Sequence, residues 1–397
     1  VTRILYTAFD VVPAPKGAST HILHFTRALV NAGWSVDLLT PGDGVLPAED
    51  ELEGARVLRV PGDAGAHYLS RAVTFGQAVQ RHLLTSPPYD VVHYRSLWGG
   101  LEAAELRGRL GHRTLFEVNG LPSVELKYHY PGLRDSDLMA KVREQELAAL
   151  ALSDRVVCVS RVTRDYLASL GVERGRITVI PNGVSAEEFA PRGREPFGSG
   201  EAPTFLYLGT LAEWQGLEML LEAWPLVRER CDARLRIVGR GRSRQRKVLA
   251  KRIRKLGLEG VVSVEPAVAH HDVPTLLGEV DACVAPLLAN DRNVTQGCCP
   301  IKVLEYMAAG RPLVASNLPV VRELVREDTD ALLFSPGDPE DLARQVVRLA
   351  EDRDLASGLA ARARERAGER FTWKRARRSL TDLYEELLPS GAPATSA

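Results

Sequence analysis

The run GCCPIKVLEYMAAGRPLVAS, residues 297–316, carries Lys302 and Glu305 in the pattern Pro-x-Lys-x-x-Glu. A helix is expected over residues 302–309, with Val303, Leu304 and Met307 as its apolar positions, Pro300 in the first turn and Gly310 as the stop. The stretch then reads as a loop entering a helix N-terminus, followed by a short buried strand, RPLVAS. Helix N-termini concentrate unpaired N–H groups and partial positive charge, so they suit anionic ligands. A lysine there opposes the dipole unless something negative sits in front of it. Two readings stand on this stretch alone: a ligand site, or two solvated side chains paired with each other three residues apart.

Other loops have residue types suited to close backbone approach or to anions. PAPKGASTHILHFTRAL places Gly17 between a strand and a helix, with Ser19 or Thr20 as the cap. It lacks G-x-G-x-x-G with an acidic residue further on, which argues against a nicotinamide dinucleotide enzyme. LGTLAEWQGLEML repeats that geometry with Gly209 and Gly216, and Thr210 and Gln215 lie between them. IVGRGRSRQRKVLAKRIRK packs nine basic residues into positions 240–255. No aromatic residue interleaves them, as a single-strand nucleic-acid platform requires. Val248, Leu249 and Ile253 mark a buried stripe, so the remainder reads as a solvated basic face. Arg240 and Arg242 differ because they flank Gly241 in the loop itself. The histidines have no zinc-ligand spacing, and no G-x-S-x-G elbow points to a hydrolase. No metal site is expected.

Positioning these loops requires strands that end where helices begin. Short β-rich runs alternate with amphipathic segments from the first residue: RILYTAF, STHILHFTRALVNAG and SVDLLT, later VLRVP, DVVHYRS, HRTLFEVNG, DRVVCVS and ITVIPNG. The pattern restarts after the Pro- and Gly-rich residues 188–203 with TFLYLGTL, ARLRIVGRG, VVSVEPAV, DACVAPLL and RPLVAS. Such alternation argues for an α/β chain of two doubly wound parallel-sheet domains. The expected boundaries are 1–187, a linker 188–203, 204–372, a helix 373–388 and a disordered tail 389–397. In such sheets ligands bind beyond the carboxyl ends of the strands. At 397 residues the chain is too long for one core, and 51 Lys plus Arg balance 51 Asp plus Glu. Global charge therefore gives no argument for nucleic acid. The five cysteines show no disulfide framework, and no apolar run is long enough to span a bilayer. A cytoplasmic protein is expected, with peripheral membrane contact left open and the oligomeric state unread.

Taken in order, KGAST, DVVHYRS, VIPNGVSAEEF, YLGTLAEWQGLEMLLEAW, IVGRG, HDVPTLLGEVDACVAPL and PIKVLEYMAAGRPLVASNLPVVRELV resemble glycosyltransferase family 4 over nearly the whole chain. The resemblance implies the GT-B fold, two Rossmann-like domains facing across a cleft, with FTWKRARRSLTDLYEEL as a closing helix that returns to the first domain. It implies a nucleotide-diphosphate sugar held mainly by the second domain. Glu305 matches the family glutamate that accepts hydrogen bonds from the ribose hydroxyls. The family's preceding glutamate would fall at position 297, which is Gly297 here, and its usual arginine and lysine are replaced by Thr210 and Gln215. A diphosphate in a partly dry site still needs compensation. Lys302 and Arg240 are the expected substitutes, with Gly17, Gly209, Gly241, Cys298, Cys299, Pro300 and Ile301 lining the donor loops. In the first domain His93, Glu117 and Asn119 lie at strand ends, where relatives carry a histidine near the reacting sugar. His93 reads equally well as a hydrogen-bonded core residue.

The resemblance implies a retaining, metal-independent enzyme without a cofactor, moving a hexose or N-acetylhexosamine to the hydroxyl of a small-molecule or glycan acceptor. A uridine diphosphate donor is expected, and no nucleic-acid partner. Three alternatives remain open: a degenerate nucleotide-sugar-binding or partner subunit, a sugar-nucleotide epimerase, and a phosphorylase. For the last, neither a pyridoxal phosphate lysine nor a dedicated phosphate site is evident.

Overall fold

The computed structural model describes residues 1–14, 16–62, 65, 67–193, 195–198 and 202–388. Two compact units emerge, Val1–Pro181 together with the chain from Lys374 onward, and Asn182–Trp373. The expected tail at 389–397 lies outside the described residues.

The first unit is built on an eight-stranded sheet: β1 (Arg3–Thr7), β2 (Ser35–Pro41), β3 (Glu49–Leu52), β4 (Ala55–Val60), β5 (Val91–Tyr94), β6 (Arg113–Val118), β7 (Arg155–Cys158) and β8 (Ile177–Val179). Its order is β3-β4-β2-β1-β5-β6-β7-β8, parallel except for the β3–β4 pair. Helices cover both faces of such sheets, so central strands are apolar throughout, and all four residues of β5 are buried. Strand order reverses between β1 and β5, which places the crevice of this sheet beside the loops that follow those strands.

The second unit repeats the plan with β9 (Thr204–Leu208), β10 (Arg234–Val238), β11 (Val262–Glu265), β12 (Ala282–Ala285), β13 (Leu313–Ser316) and β14 (Leu332–Phe334). The order β11-β10-β9-β12-β13-β14 is entirely parallel and reverses between β9 and β12. The core around Phe205, Trp224, Ile237, Val284 and Val314 is fully buried.

Two expectations are corrected. The division falls at Pro181 and Asn182 rather than at the expected linker 188–203, and the described residues of that stretch belong to the second unit. Phe189 and Phe197 are buried there, and the Phe197 backbone N–H donates to Asp281 Oδ1 at 2.8 Å. Two aromatic anchors outweigh a composition rich in Pro and Gly. The strands β3 and β14 were not anticipated. β3 is the acidic edge segment EDEL, its residues alternately exposed and half-buried, and presents no apolar run to read.

The closing helix, Trp373–Leu387, packs within the first unit from Lys374 onward. It buries Leu380, Leu383 and Tyr384 there, and the Tyr384 ring stacks on Trp34 with centroids 5.2 Å apart. Among the described residues no helix is long and apolar enough to cross a membrane.

Candidate active site

The second unit's crevice is closed by two loops that approach to backbone contact. After β9 the chain makes a short turn, Glu213–Gln215, and reverses at Gly216, whose φ of 72° is left-handed. A Cβ at Gly216 would lie 1.8 Å from the Pro286 carbonyl oxygen, in the loop after β12. Only glycine permits that approach. Asn293, fully buried, fastens the same two loops by donating from Nδ2 to the carbonyls of Trp214 (3.2 Å) and Leu288 (2.8 Å). Tyr306 ties in the β9 end, accepting from the Leu208 N–H at 2.8 Å.

Into this stitched corner the Ile301–Ala308 helix delivers Lys302. Its Nζ donates to Gln215 Oε1 at 2.7 Å and stands 4.1 Å from the centre of the Tyr207 ring. It also lies against Gly209, where a Cβ would come within 2.5 Å of it. Lys302 is not paired with Glu305, so the solvated-pair reading of the opening motif falls. Burial drives the Lys302 ammonium down to about 7, against the pull of Glu305 toward the charged form.

Glu305, one turn further on, is buried. Its Oε1 lies 3.3 Å from His270 Nε2, and His270 Nδ1 lies 3.8 Å from Glu188. The hydrogen bond to Glu305 raises the His270 pKa above its ordinary value despite burial. Around the motif, Gly297 adopts φ 83°, and the buried Cys299 carbonyl accepts from Asn182 Nδ2 at 2.8 Å. Cys298 is buried beside them, and Pro300 and Ile301 are partly exposed at the helix start. Thr210 is exposed, and its carbonyl accepts from the Tyr207 hydroxyl at 2.6 Å. Gly241 packs against Leu211 with no room for a Cβ. Arg240 is exposed and makes no side-chain hydrogen bond or ion pair among the described residues. The structure thus brings Lys302, Gln215 and Gly209 together, and Arg240 lies on the adjoining loop, its carbonyl accepting from the Leu211 N–H at 2.8 Å and its side chain exposed.

The first unit holds a buried carboxylate network at its own switch point. Glu117 has no exposed surface. Tyr6 donates to its Oε2 at 2.7 Å and Arg95 Nε to its Oε1 at 3.1 Å. His21 Nε2 lies 2.8 Å and His93 Nε2 3.1 Å from its oxygens, and Asn119 Nδ2 donates to Oε1. Burial alone would push this carboxyl up; His21, His93 and Arg95 outweigh it and hold it well below the usual range. Arg95 continues to Asp10 at 2.6 Å, and Asp10 to Lys16 at 2.5 Å, next to Gly17 at the start of the Gly17–Asn31 helix.

His93 is fully buried, stacks on Tyr6 with centroids 4.3 Å apart, and shares a hydrogen bond from Nδ1 with the Tyr384 hydroxyl at 2.9 Å. Burial lowers its pKa. His93 and Glu117 have no exposed surface and lie against each other inside the first unit, which is the hydrogen-bonded core arrangement the sequence also allowed for His93. Asn119 is partly exposed and remains at the edge of the network.

Sequence reasoning missed Arg95, Asp10 and Lys16. Their signal was a basic residue directly after the VVHY strand and a lysine before Gly17. It also missed His270, since the histidines were weighed together only for metal ligation. Among the described residues no three His, Cys, Asp or Glu side chains group as a metal site.

Two family models match successive parts of the chain. Residues 15–188 match the model described as Glycosyltransferase Family 4, and residues 202–352 the one described as Glycosyl transferases group 1. The chain is similar to the phosphatidyl-myo-inositol mannosyltransferase of Mycolicibacterium smegmatis, at 27% identity over 97% of this chain and 93% of the relative. In three dimensions it resembles the sucrose-phosphate synthase from Thermosynechococcus elongatus (TM-score 0.82, 21% identity, covering 98% and 99% of the two chains). It also resembles Anabaena HepE, solved in complex with UDP-glucose (TM-score 0.74, 17% identity, 98% and 100%).

Proposed function

The chain belongs to glycosyltransferase family 4, and we propose that it moves a hexose or N-acetylhexosamine from a nucleotide-diphosphate sugar to an acceptor hydroxyl, with retention of configuration. One observation carries the reading. Lys302 and Glu305 leave the same helix start for different partners, the amine into the crevice beside Gly209 and Gln215, the carboxylate toward His270.

Glu305 accepts hydrogen bonds from the ribose hydroxyls, sharing its oxygens with His270. Lys302 faces the diphosphate. As the glycosidic carbon–oxygen bond breaks, negative charge grows on the leaving diphosphate, and a fixed cation there stabilises the transition state more than the ground state. Burial makes the amine costly to charge when the crevice is empty, and the incoming diphosphate restores the proton. Gln215 supplies the acceptor that aims Lys302, in the place where a lysine is usual for the family. Arg240, exposed on the neighbouring loop, supplies a second cation when the donor is bound. A uridine diphosphate donor is the working choice, and the donor panel below decides it.

The test is a thermal-shift panel of UDP-, GDP- and ADP-linked sugars, followed by a product assay with the stabilising donor in EDTA. Stabilisation with slow donor hydrolysis or transfer that survives chelation supports the reading. Binding with neither hydrolysis nor transfer would leave a nucleotide-sugar-binding subunit. Activity lost in EDTA and restored by manganese would replace the Lys302 account with a metal.

A further inference from the structure

The helix Ser243–Lys255, SRQRKVLAKRIRK, contains no acidic residue. It buries Leu249 and Ile253 against the second unit, and the opposite face is exposed. Arg244, Lys247, Val248, Lys251 and Lys255 follow one another at helical spacing along that face, all exposed. Other basic residues of the helix have partners within the unit. Arg252 pairs with Glu222, Arg254 lies 3.7 Å from Glu259, and Arg246 donates to the carbonyls of Gly239 and Glu265. Arg244, Lys247, Lys251 and Lys255 have no acidic partner among the described residues. Since the whole chain is electrically balanced, this stripe is a local concentration of charge rather than a share of a basic protein.

We propose that this helix face docks the protein on an anionic lipid surface. Charge complementarity selects the partner: a row of flexible, unpaired cations at about one per helical turn fits a plane of laterally mobile headgroups. Val248, 43% exposed, stands in the middle of the row, where an apolar side chain meets a bilayer boundary rather than open water. The stripe has no aromatic residue on which nucleic-acid bases could stack. Because the helix's apolar stripe is already buried in the unit, contact is electrostatic and peripheral, without insertion. It is accordingly reversible and weakened by salt, since charges beyond about 10 Å are screened at 0.1 M.

Cosedimentation of the full chain with vesicles tests this. Equimolar phosphatidylglycerol and phosphatidylcholine should bind it, phosphatidylcholine alone should not, and salt should release it. Each cation removed should weaken partition about fivefold, so the triple variant Arg244→Ala/Lys247→Ala/Lys251→Ala should bind on the order of a hundredfold less. An unchanged melting temperature and unchanged UDP binding would show that the triple variant is folded. A charge-conserving control, Lys247→Arg/Lys251→Arg, should bind as the native chain does. Equal binding of native and triple-variant protein, or binding to neutral vesicles, would overturn the proposal. So would displacement of the native chain from vesicles by RNA at matched phosphate, with tighter binding to RNA than to vesicles, which would assign the face to nucleic acid.

Discussion

At the scale of single residues, the site rests on a lysine held where charge is costly. The Lys302 pKa is depressed to about 7, whereas an unfolded lysine keeps its proton to about 10.5. The unfolded chain thus binds more protons across that window, and stability rises with pH through it. The penalty is full below pH 7 and fades toward 10.5. Lys302→Met should therefore stabilise the nucleotide-free protein in urea unfolding at pH 6, with a gain that shrinks by pH 9. A variant less stable than the native chain at both pH values would show that the amine is not desolvated. Glu305 carries the second residue-level prediction. Hydrogen bonds to a charged acceptor contribute about 1.5–3 kcal/mol, so Glu305→Ala should reduce donor use about ten- to a hundredfold with the fold intact. An unchanged Michaelis constant and turnover would remove Glu305 from the site. Lys302 and Glu305 were legible in the sequence because their charge interrupts an apolar run at a helix start. Gln215 was legible only as a missing cation, since nothing in sequence spacing reveals that a side chain 87 positions away supplies the amine it receives.

At the scale of elements, the crevice depends on how closely the loops after β9 and β12 approach. Gly216→Ala meets two costs, about 1–2 kcal/mol for a left-handed non-glycine residue and a backbone collision with the Pro286 carbonyl. Relief requires the two loops to part, so the variant should lower the unfolding midpoint and weaken binding of whichever nucleotide sugar stabilises the native chain at least tenfold by calorimetry. Native-like affinity for that nucleotide sugar would show that the loop junction does not shape the site. Parallel strands such as VVHY and ACVA were readable because both faces are buried and the runs are dominated by apolar residues. β3 escaped because it is an edge strand of alternating exposure, and the network around Glu117 escaped because its members come from β1, the Gly17–Asn31 helix, β5, β6 and the closing helix. Strand adjacency, which no local pattern encodes, brings them together. His93 shows the consequence: the same strand-end position fits a catalytic residue and a core residue, and only the partners on either side decide.

At the scale of the whole molecule, the restart of the β–α pattern announced two units, and the closing helix was legible as a segment separate from the second sheet. The division was misplaced because composition marks where Pro and Gly are dense, whereas packing marks where contacts cease; Phe189 and Phe197 lie between those two criteria. The loop after β9 carries Thr210 and Gln215 where the resemblance implies phosphate cations, and the proposal assigns their work to Lys302 on the facing helix. The most direct test is steady-state kinetics with the stabilising nucleotide sugar on the native chain, Lys302→Ala and Lys302→Ala/Gln215→Lys. Lys302→Ala should lower turnover by more than it raises the donor Michaelis constant, and Gln215→Lys should recover part of the loss by returning a charge to the same corner. Full turnover in Lys302→Ala, or no recovery in the double variant, would contradict the substitution and leave the diphosphate to the backbone N–H groups of the Gly209 and Cys298 loops.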